Sequence, residues 1–270
     1  MKEERGRKSK ALGLGLAAML MAQGFGTRSD EVRHSQADEA EPKAGDRKGP
    51  VEGRNWTSPA TGMEFVWIPQ MKMWVGKYEV TNAEYRKKER RHDSKSYENH
   101  SLDGDRQPVV YVNFDDAKTY AEWLTHQDAA VLGGARYRLP SNGEWTTFAQ
   151  CGDNREYPWG NQWPPPSGRA GNYHGQEGAG TWGKISGYND GFPVTAPVDK
   201  LWANPWGLHG VGGNVWEACA SESSGGSFGA WRGACWCDYT QDALRVSSRY
   251  DYDGSRRSNY YGFRLVLVRP

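Results

Sequence analysis

The residues best suited to chemistry lie near the C-terminus, in CWCDYTQDALRVSSRYDYDGSRRSNYYGFRLVL, residues 235–267. This stretch holds Cys235 and Cys237 and is rich in tyrosine, aspartate, serine and arginine. A thiolate is a nucleophile and a ligand for soft metals. Tyrosine mixed with small polar residues is instead the composition of a binding loop. The stretch therefore indicates either thiol-dependent catalysis or a binding face.

The four cysteines, Cys151, Cys219, Cys235 and Cys237, lack the Cys-x-x-Cys spacing of a zinc site. On a strand, the one-residue separation of Cys235 and Cys237 would strain a mutual disulfide. A bridge between Cys151 and Cys219 stays open. The histidines are scattered singly, and the sequence shows no catalytic triad, phosphate loop or carboxylate pair above background.

The composition indicates a loop-rich fold with an aromatic core. The chain has 270 residues, 13 tryptophans and 34 glycines, which is more ring volume and turn capacity than a helical bundle needs. Its net charge of +1 argues against nucleic acid and against a membrane surface, because both partners favour a basic excess. Proteins and other surface ligands remain as partners.

The first 54 residues predict export followed by a tether. Residues 1–27 have a basic start, an apolar run and a small-x-small pattern typical of a signal peptide, and the run is too short for a transmembrane segment. Residues 28–54 are polar and are predicted to be a flexible linker. We therefore expect a folded domain over residues 55–270 of a periplasmic, cell-surface or secreted protein.

Local signals place short strands and three helix starts in that domain. The segment GMEFVWIPQMKMWVGKYEV alternates as two strands. Helices are expected after Thr81 or Asn82, after Asn113, and after Ser141, where Glu144 completes a capping box. Residues 153–205 show little periodicity. The motifs GLHGVGGNVWEACA, AWRGACW and YGFRLVLVRP are interpreted as three strands of one compact sheet.

The motifs GMEFVWIP, KYEVTNAEY, YRLPSNGEWTTFA, YPWGN, GLHGVGGNVWE, WRGACW and YGFRLV occur in the order that is typical of the formylglycine-generating, sulfatase-modifying family. The resemblance runs from about Trp56 to the C-terminus. It implies an α+β, C-type-lectin-like fold with small antiparallel sheets, two flanking helices and much irregular chain.

The resemblance also tests for catalysis. Enzymes of that family use a copper-binding cysteine pair, five positions apart, after their equivalent of RGACW. Here Cys237 is followed at that spacing by Asp242, and a single thiol on a strand is interpreted as structural. We therefore expect no copper and no catalysis. The alternative is a sulfatase-modifying oxidoreductase with altered metal ligands.

The C-terminal segment resembles more the variable proteins of diversity-generating retroelements, a non-catalytic branch of the same fold. Such proteins bind ligands through a diversified segment, which here covers about residues 228–261. The resemblance and the paratope-like composition predict ligand contacts from Cys237, Asp238, Tyr239, Ser248, Tyr250, Tyr252, Ser255, Asn259, Tyr260 and Tyr261. A solvated loop without ligand is the other interpretation of this segment. We expect a monomer.

Structural calcium is the cofactor that the resemblance implies. The matching ligands are Asn172, Tyr173, Asp190 and Phe192, and oxygen donors spread along irregular chain suit Ca²⁺. A second family site would use the Gly213 and Val215 carbonyls and Glu217. Gly210 stands where that site needs a side-chain ligand.

Overall fold

The computed structural model describes residues 49–220 and 228–270. The predicted signal peptide and residues 28–48 of the predicted linker lie outside these ranges. The end of that linker is not a tether, because Pro50 is buried and its carbonyl oxygen accepts a hydrogen bond from Arg269 at 2.8 Å. Packing of the domain thus begins before the predicted boundary at Asn55. The described ranges hold no helix that is both long and apolar enough to cross a membrane.

The strands and helices are short and are separated by long connections. The strands are β1 (Trp56–Thr57), β2 (Glu64–Ile68), β3 (Met73–Gly76), β4 (Ser96–Tyr97), β5 (His100–Ser101), β6 (Arg136–Arg138), β7 (Trp216–Cys219), β8 (Phe228–Arg232), β9 (Arg249–Asp253), β10 (Tyr261–Gly262) and β11 (Val266–Val268). The helices are α1 (Asn82–Tyr85), α2 (Phe114–Gln127), α3 (Ala129–Leu132) and α4 (Asn142–Gln150).

The three predicted helix starts are confirmed, each by a complete capping box. The side chains of Thr81, Asn113 and Ser141 each accept a hydrogen bond from a backbone N–H three residues on, and the acidic side chain at that position bonds back to the cap. Such reciprocal bonds satisfy donors that a helix start leaves open. The signals are local, which explains why the sequence alone located them.

Two sheets form the centre of the domain. The first has the order β1-β2-β3-β11-β6 and is antiparallel throughout; its β2–β3 hairpin is the predicted two-stranded opening. The second has the order β10-β7-β8-β9, with β10 parallel to β7. Residues 153–205 contain one 3-10 turn of three residues, Val198–Lys200, and otherwise carry no helix or strand, as predicted.

The C-terminal motif differs from its prediction as part of one sheet. Tyr261 and Gly262 pair with β7 in the four-stranded sheet, whereas residues Val266–Val268 enter the five-stranded sheet between β3 and β6. The motif therefore crosses from one sheet to the other within a few residues. The segment predicted to be variable, about residues 228–261, contains both β8 and β9, which pair with each other along their length.

A buried ion pair joins the two sheets at this crossing. Arg264 donates to Glu217 on β7, with 2.7 Å between Nη2 and Oε1, and both side chains are fully buried. The same guanidinium donates to the carbonyl oxygens of Gly76 at 2.9 Å and His209 at 2.7 Å. Trp145 donates to the second Glu217 oxygen at 2.8 Å. The buried charges are thus both paired and hydrogen-bonded, as burial requires.

Candidate functional site

A cavity of about 350 Å³ opens within the C-terminal part of the domain. Most of the cavity wall comes from the segment predicted to be variable, and six of the ten predicted ligand contacts lie in this wall. The wall is formed by Trp182, Trp216, Cys235, Cys237, Asp238, Tyr239, Tyr250, Arg256, Tyr260 and Tyr261. Residues spread along more than twenty positions of the sequence therefore meet in one concave surface, which we call the aromatic cavity.

The tyrosines of the aromatic cavity differ in exposure. Tyr239 and Tyr250 are 39% and 43% exposed, and Tyr260 is half-buried. Tyr261 is only 6% exposed and stacks on Trp231 with 4.1 Å between ring centroids. Tyr261 therefore packs the sheet that carries the cavity and offers a ligand much less surface than Tyr239 and Tyr250 do.

Two close contacts hold the exposed tyrosines in place. The Tyr250 ring meets Trp216 edge to face at 4.8 Å, a favourable arrangement for aromatic pairs. The Tyr239 ring lies against Gly183, where a Cβ atom would come within 2.4 Å of the ring. Only glycine at that position permits the approach. Both rings present surface to solvent and are supported from behind, which suits rigid binding contacts.

Sequence reasoning missed Trp182 and Trp216 as parts of this wall. Trp182 belongs to the irregular middle of the chain, is 41% exposed and stacks on Tyr97 with 5.5 Å between centroids. No periodicity marks it, so no local signal could have found it. Trp216 is buried in β7 and was expected to be part of the sheet. Arg256 adds an exposed positive charge.

Four predicted contacts do not form part of the cavity wall or cannot be placed in it. Ser248 is half-buried in the turn before β9. Ser255 is exposed, and its carbonyl oxygen accepts a hydrogen bond from Asn113 at 3.4 Å. The Asn259 carbonyl accepts one from the Trp236 indole at 3.1 Å. Tyr252 lies in β9 opposite Gly229, and its side chain is outside the described part. Their contact with a ligand stays a prediction.

Asp238 links the cavity wall to the turn beneath it. One of its carboxylate oxygens accepts a hydrogen bond from the Cys235 N–H at 2.9 Å, and its own N–H donates to the Cys235 carbonyl at 3.0 Å. Burial raises the pKa of Asp238 above its ordinary value, although the hydrogen bond that its carboxylate accepts from the Cys235 N–H opposes the shift. The carboxyl group therefore fixes the turn and also gives the cavity a polar edge.

The cysteines differ from the single strand-borne thiol that the sequence suggested. Cys235 and Cys237 lie in this turn, are free, and have 2.6 Å between their sulfur atoms. Cys151 and Cys219 are also free, and their sulfur atoms face the carbonyl oxygens of Phe148 and Glu217. The bridge that was left open between these two is not formed in the structure.

The predicted calcium ligands lie in the irregular middle. The Asp190 carboxylate accepts hydrogen bonds from the N–H groups of Tyr173 at 2.9 Å and Phe192 at 3.0 Å. Asn172 is fully buried, and its side-chain oxygen has no hydrogen-bond partner among the described residues. Glu177, which the sequence did not single out, accepts from the Asp190 N–H at 3.1 Å and keeps one buried oxygen without such a partner. Burial and the nearby Glu177 raise the pKa of Asp190 to about 8.

This donor set fits a hard cation. Carboxylate, amide and carbonyl oxygens are the ligands of Ca²⁺, and a buried oxygen without a donor is costly unless something satisfies it. A cation would also favour the ionised form of Asp190, against burial. Asn172, Tyr173, Asp190 and Phe192 would hold it, with Glu177 beside them.

The second family site is not supported by the structure. Both Glu217 oxygens are engaged by Arg264 and Trp145, so a guanidinium stands where that site would need a cation. The space beside Gly210 is taken by Glu79, whose carboxylate would lie 2.7 Å from a Cβ atom at position 210. Burial raises the pKa of Glu79 to about 8. A buried polar network therefore fills the region.

A larger cavity of about 500 Å³ lies elsewhere, beside Asp153, Arg155, Trp159 and Trp202. None of the predicted contacts lines it. Asp153 and Arg155 form an ion pair with each other at its edge, which leaves their charges compensated. Volume alone therefore does not locate the functional site, and the aromatic cavity is the better candidate because polar, aromatic and thiol groups converge in it.

The two sheets, the flanking helices α2 and α4 and the long irregular connections define a C-type-lectin-like fold. The sulfatase-modifying factor enzyme 1-like domain matches residues 39–269, so the chain belongs to that family. It is similar to PvdO from Pseudomonas aeruginosa, with a TM-score of 0.57, 21% identity, and coverage of 81% of this chain and 99% of that one. It is also similar to Treponema denticola variable protein 1, with a TM-score of 0.56, 19% identity, and coverage of 82% and 93%. At these identities the likeness shows the fold.

Relatives by sequence carry both active and inactive names. The chain is 34% identical over 151 residues to the formylglycine-generating enzyme of Thermomonospora curvata, which covers 56% of this chain and 42% of that protein. It is 31% identical over 167 residues to the inactive C-alpha-formylglycine-generating enzyme 2 of Bos taurus, which covers 59% of this chain and 50% of that protein. The chain thus matches half or less of these relatives' lengths. Membership of the family is therefore compatible with activity and with its absence.

Proposed function

We propose that the protein is a non-catalytic ligand-binding protein whose aromatic cavity is the binding face. The observation that carries the proposal is the pair of exposed, supported tyrosines, Tyr239 and Tyr250, beside the exposed Trp182. Large rings that are held rigidly give contact area at low entropic cost. Tyrosine and tryptophan are also the residue types that dominate binding hot spots.

The expected ligand is a protein or another surface molecule. The cavity is wide enough to take a side chain or a sugar-sized group but is too small to enclose a large ligand. Its charged edges are Asp238 and Arg256, which would orient a polar partner. The net charge of +1 gives no reason to expect nucleic acid. Export is part of the same proposal and rests on the N-terminal pattern of residues 1–27.

The segment 228–261 is further proposed to be diversified, as in the variable proteins of diversity-generating retroelements. Its scaffold residues support a surface that tolerates change. Arg232, for example, is buried and donates to Thr146 at 2.8 Å and to the Val246 carbonyl at 2.6 Å. The check is the neighbouring DNA, where we expect a near-copy of this coding segment with adenines at the variable codons, next to a reverse transcriptase gene.

The binding test compares the cavity with a matched surface. An envelope extract of the source cells is passed over immobilised protein, either unchanged, as Tyr239→Ala, or as Tyr78→Ala. Tyr78 is half-buried and does not line the cavity. A partner that is retained by the unchanged protein and by Tyr78→Ala, but lost with Tyr239→Ala, supports the proposal. A partner retained equally by all three contradicts it. The affinity of the purified partner then gives the size of the effect, about 2 kcal/mol for a hot spot.

The competing function is oxidation of a substrate cysteine by an altered thiol site. Its basis is the contact between Cys235 and Cys237 inside the cavity. Against it stands Asp242, which replaces the cysteine expected five positions after Cys237, and whose side chain is exposed and paired with Arg245. A binding function requires only the surface described above, and we therefore favour it.

We also infer that calcium stabilises the irregular middle of the chain through Asn172, Tyr173, Asp190 and Phe192. Such an ion would link residues 172–173 to residues 190–192, and the loop between them contributes Trp182 to the aromatic cavity. Its role would be structural, because these residues are not part of the cavity wall.

A further inference from the structure

Two sulfur atoms meet in the floor of the aromatic cavity. Cys235 is 1% exposed, Cys237 is half-buried, and both belong to the cavity wall. Their sulfur atoms are 2.6 Å apart. The pair is therefore reachable from solvent through Cys237, while Cys235 lies behind it.

A turn brings these side chains together. The Asp238 N–H donates to the Cys235 carbonyl at 3.0 Å, which closes a four-residue turn with Cys237 at its third position. Gly233 and Ala234, with φ of 98° and 65°, redirect the chain out of β8 just before it. In a strand, the side chains of residues two apart point the same way, but their positions are about 6.6 Å apart along the chain, which would strain a disulfide. Because Cys235 and Cys237 lie in a turn, this strain does not apply to them.

Surrounding contacts hold the turn in this shape. The Asp238 carboxylate accepts the Cys235 N–H at 2.9 Å. Between the two cysteines, Trp236 is buried and its indole donates to the Asn259 carbonyl at 3.1 Å. The sulfur atoms are therefore placed in contact by the packing of the domain rather than by a chance rotation of two side chains.

The distance between the sulfur atoms decides which chemistry the pair suits. Two thiolates that bind one metal ion tetrahedrally at about 2.3 Å each have sulfur atoms nearly 4 Å apart, and a linear arrangement separates them further. A covalent S–S bond is about 2.05 Å long. The observed contact is much nearer to the second value. We propose that Cys235 and Cys237 are a reversible dithiol–disulfide pair, oxidised by small disulfides such as oxidised glutathione.

The reaction balances as two thiol–disulfide exchanges. The Cys237 thiolate attacks one sulfur of the small disulfide, forms a mixed disulfide and releases one small thiolate. The Cys235 thiolate then attacks the Cys237 sulfur, closes the bond between the two cysteines and releases the second small thiolate. The two protons lost by the cysteines go to the two released thiols, and the two electrons reduce the oxidant. Cys237 is the first to attack because it is half-buried and can be reached from solvent, whereas Cys235 is 1% exposed and lies behind it.

The test counts free thiols in the full folded chain. The protein is equilibrated with reduced and oxidised glutathione in different ratios, quenched with acid, denatured and alkylated. Trypsin then releases residues 233–245, which carry both cysteines between Arg232 and Arg245. As the share of oxidised glutathione increases, we expect this peptide to change from the doubly alkylated form to an unalkylated form. The unalkylated form should be two hydrogens lighter than the free dithiol peptide, because it contains the disulfide. Excess reduced glutathione should reverse the change. The redox chemistry is independent of what the cavity binds.

Three controls make the result decisive. The synthetic peptide 233–245 lacks the fold and should need at least about tenfold more oxidant to close the same bond, because the folded turn supplies the effective concentration. Cys235→Ser should stop at a glutathione adduct on Cys237. Cys151, which is half-buried and faces a carbonyl oxygen, should form at most an adduct. A wild-type pair that stays doubly alkylated at every ratio, that ends as an adduct, or that oxidises no more readily than the peptide overturns the proposal.

Discussion

Truncation of two neighbouring aromatic side chains should separate the scaffold of the cavity from its binding surface. Trp236 is 1% exposed, donates to the Asn259 carbonyl and packs against Tyr97 and Trp182. Tyr239, three residues on, is 39% exposed and rests on Gly183. The two changes are Trp236→Ala and Tyr239→Ala. One removes a buried ring and the other an exposed one.

The magnitudes follow from burial. Loss of a fully buried tryptophan costs about 3–5 kcal/mol of the free energy of unfolding, since a cavity remains where the ring was. For a domain of this size each kcal/mol lowers the melting temperature by about 2–4 °C, so Trp236→Ala should melt roughly 6–20 °C lower. Tyr239→Ala should cost about 0.5–1 kcal/mol, which is roughly 1–4 °C. The same reasoning places Tyr261 with Trp236, because its ring stacks on Trp231.

The assay is thermal unfolding followed by circular dichroism, with urea unfolding at 25 °C as a second measurement of the free energy. Tyr239→Phe serves as a control that keeps the ring and removes the hydroxyl group, and it should melt like the unchanged protein. If Tyr239→Ala loses as much stability as Trp236→Ala, the Tyr239 ring is part of the core and the binding face lies elsewhere. A Trp236→Ala protein of unchanged stability would contradict the packing argument itself.

Three further outcomes are expected. A chelator should lower the melting temperature and added Ca²⁺ should restore it, as linkage requires for an ion that binds only the folded state. Asp190→Asn should abolish this response. An unchanged melting curve, together with no metal in elemental analysis, would contradict the calcium site. Without calcium, the free energy of unfolding should fall as pH rises from about 4 to about 8. Burial raises the pKa of Asp190 from 3.8 to about 8 in the folded state. The folded protein therefore binds more protons than the unfolded chain over this range, which makes it less stable as pH rises. Glu79 contributes in the same direction, so the diagnostic measurement is the smaller slope of Asp190→Asn. Incubation with copper, oxygen and a cysteine-containing sulfatase peptide should yield no formylglycine, and turnover that disappears in Cys237→Ser would refute the non-catalytic interpretation.

Local signals made part of the fold predictable. The caps at Thr81, Asn113 and Ser141 involve bonds that span three residues, so the sequence window contains both partners. The alternating strands β2 and β3 are equally local. The partition of the C-terminal motif between two sheets was not predictable in this way. It depends on strands far away in the chain, β7 on one side and β3 and β6 on the other.

In the candidate site, too, the sequence could predict what depends on residue type but not what depends on long-range packing. Tyr239 and Tyr250 could be selected by residue type, because tyrosine among small polar residues is typical of a binding loop. Tyr261 has the same residue type but is buried by its place beside Trp231. Trp182 comes from irregular chain and is brought to the cavity by long-range packing. The contact between Cys235 and Cys237 was missed because the spacing argument assumed a strand, whereas positive φ angles at Gly233 and Ala234 turn the chain.

The position of β11 has a consequence for how the chain is made. This strand follows the other four strands of its sheet in the chain, yet it lies inside the sheet between β3 and β6. The sheet therefore stays incomplete until residues 266–268 have left the ribosome. A stop codon or frameshift within residues 228–261 removes both β11 and Arg264, which leaves two sheet edges unpaired and Glu217 buried without its cation. Folding of the domain thus depends on an intact reading frame through this segment, and we expect products with a broken frame to be degraded by proteases.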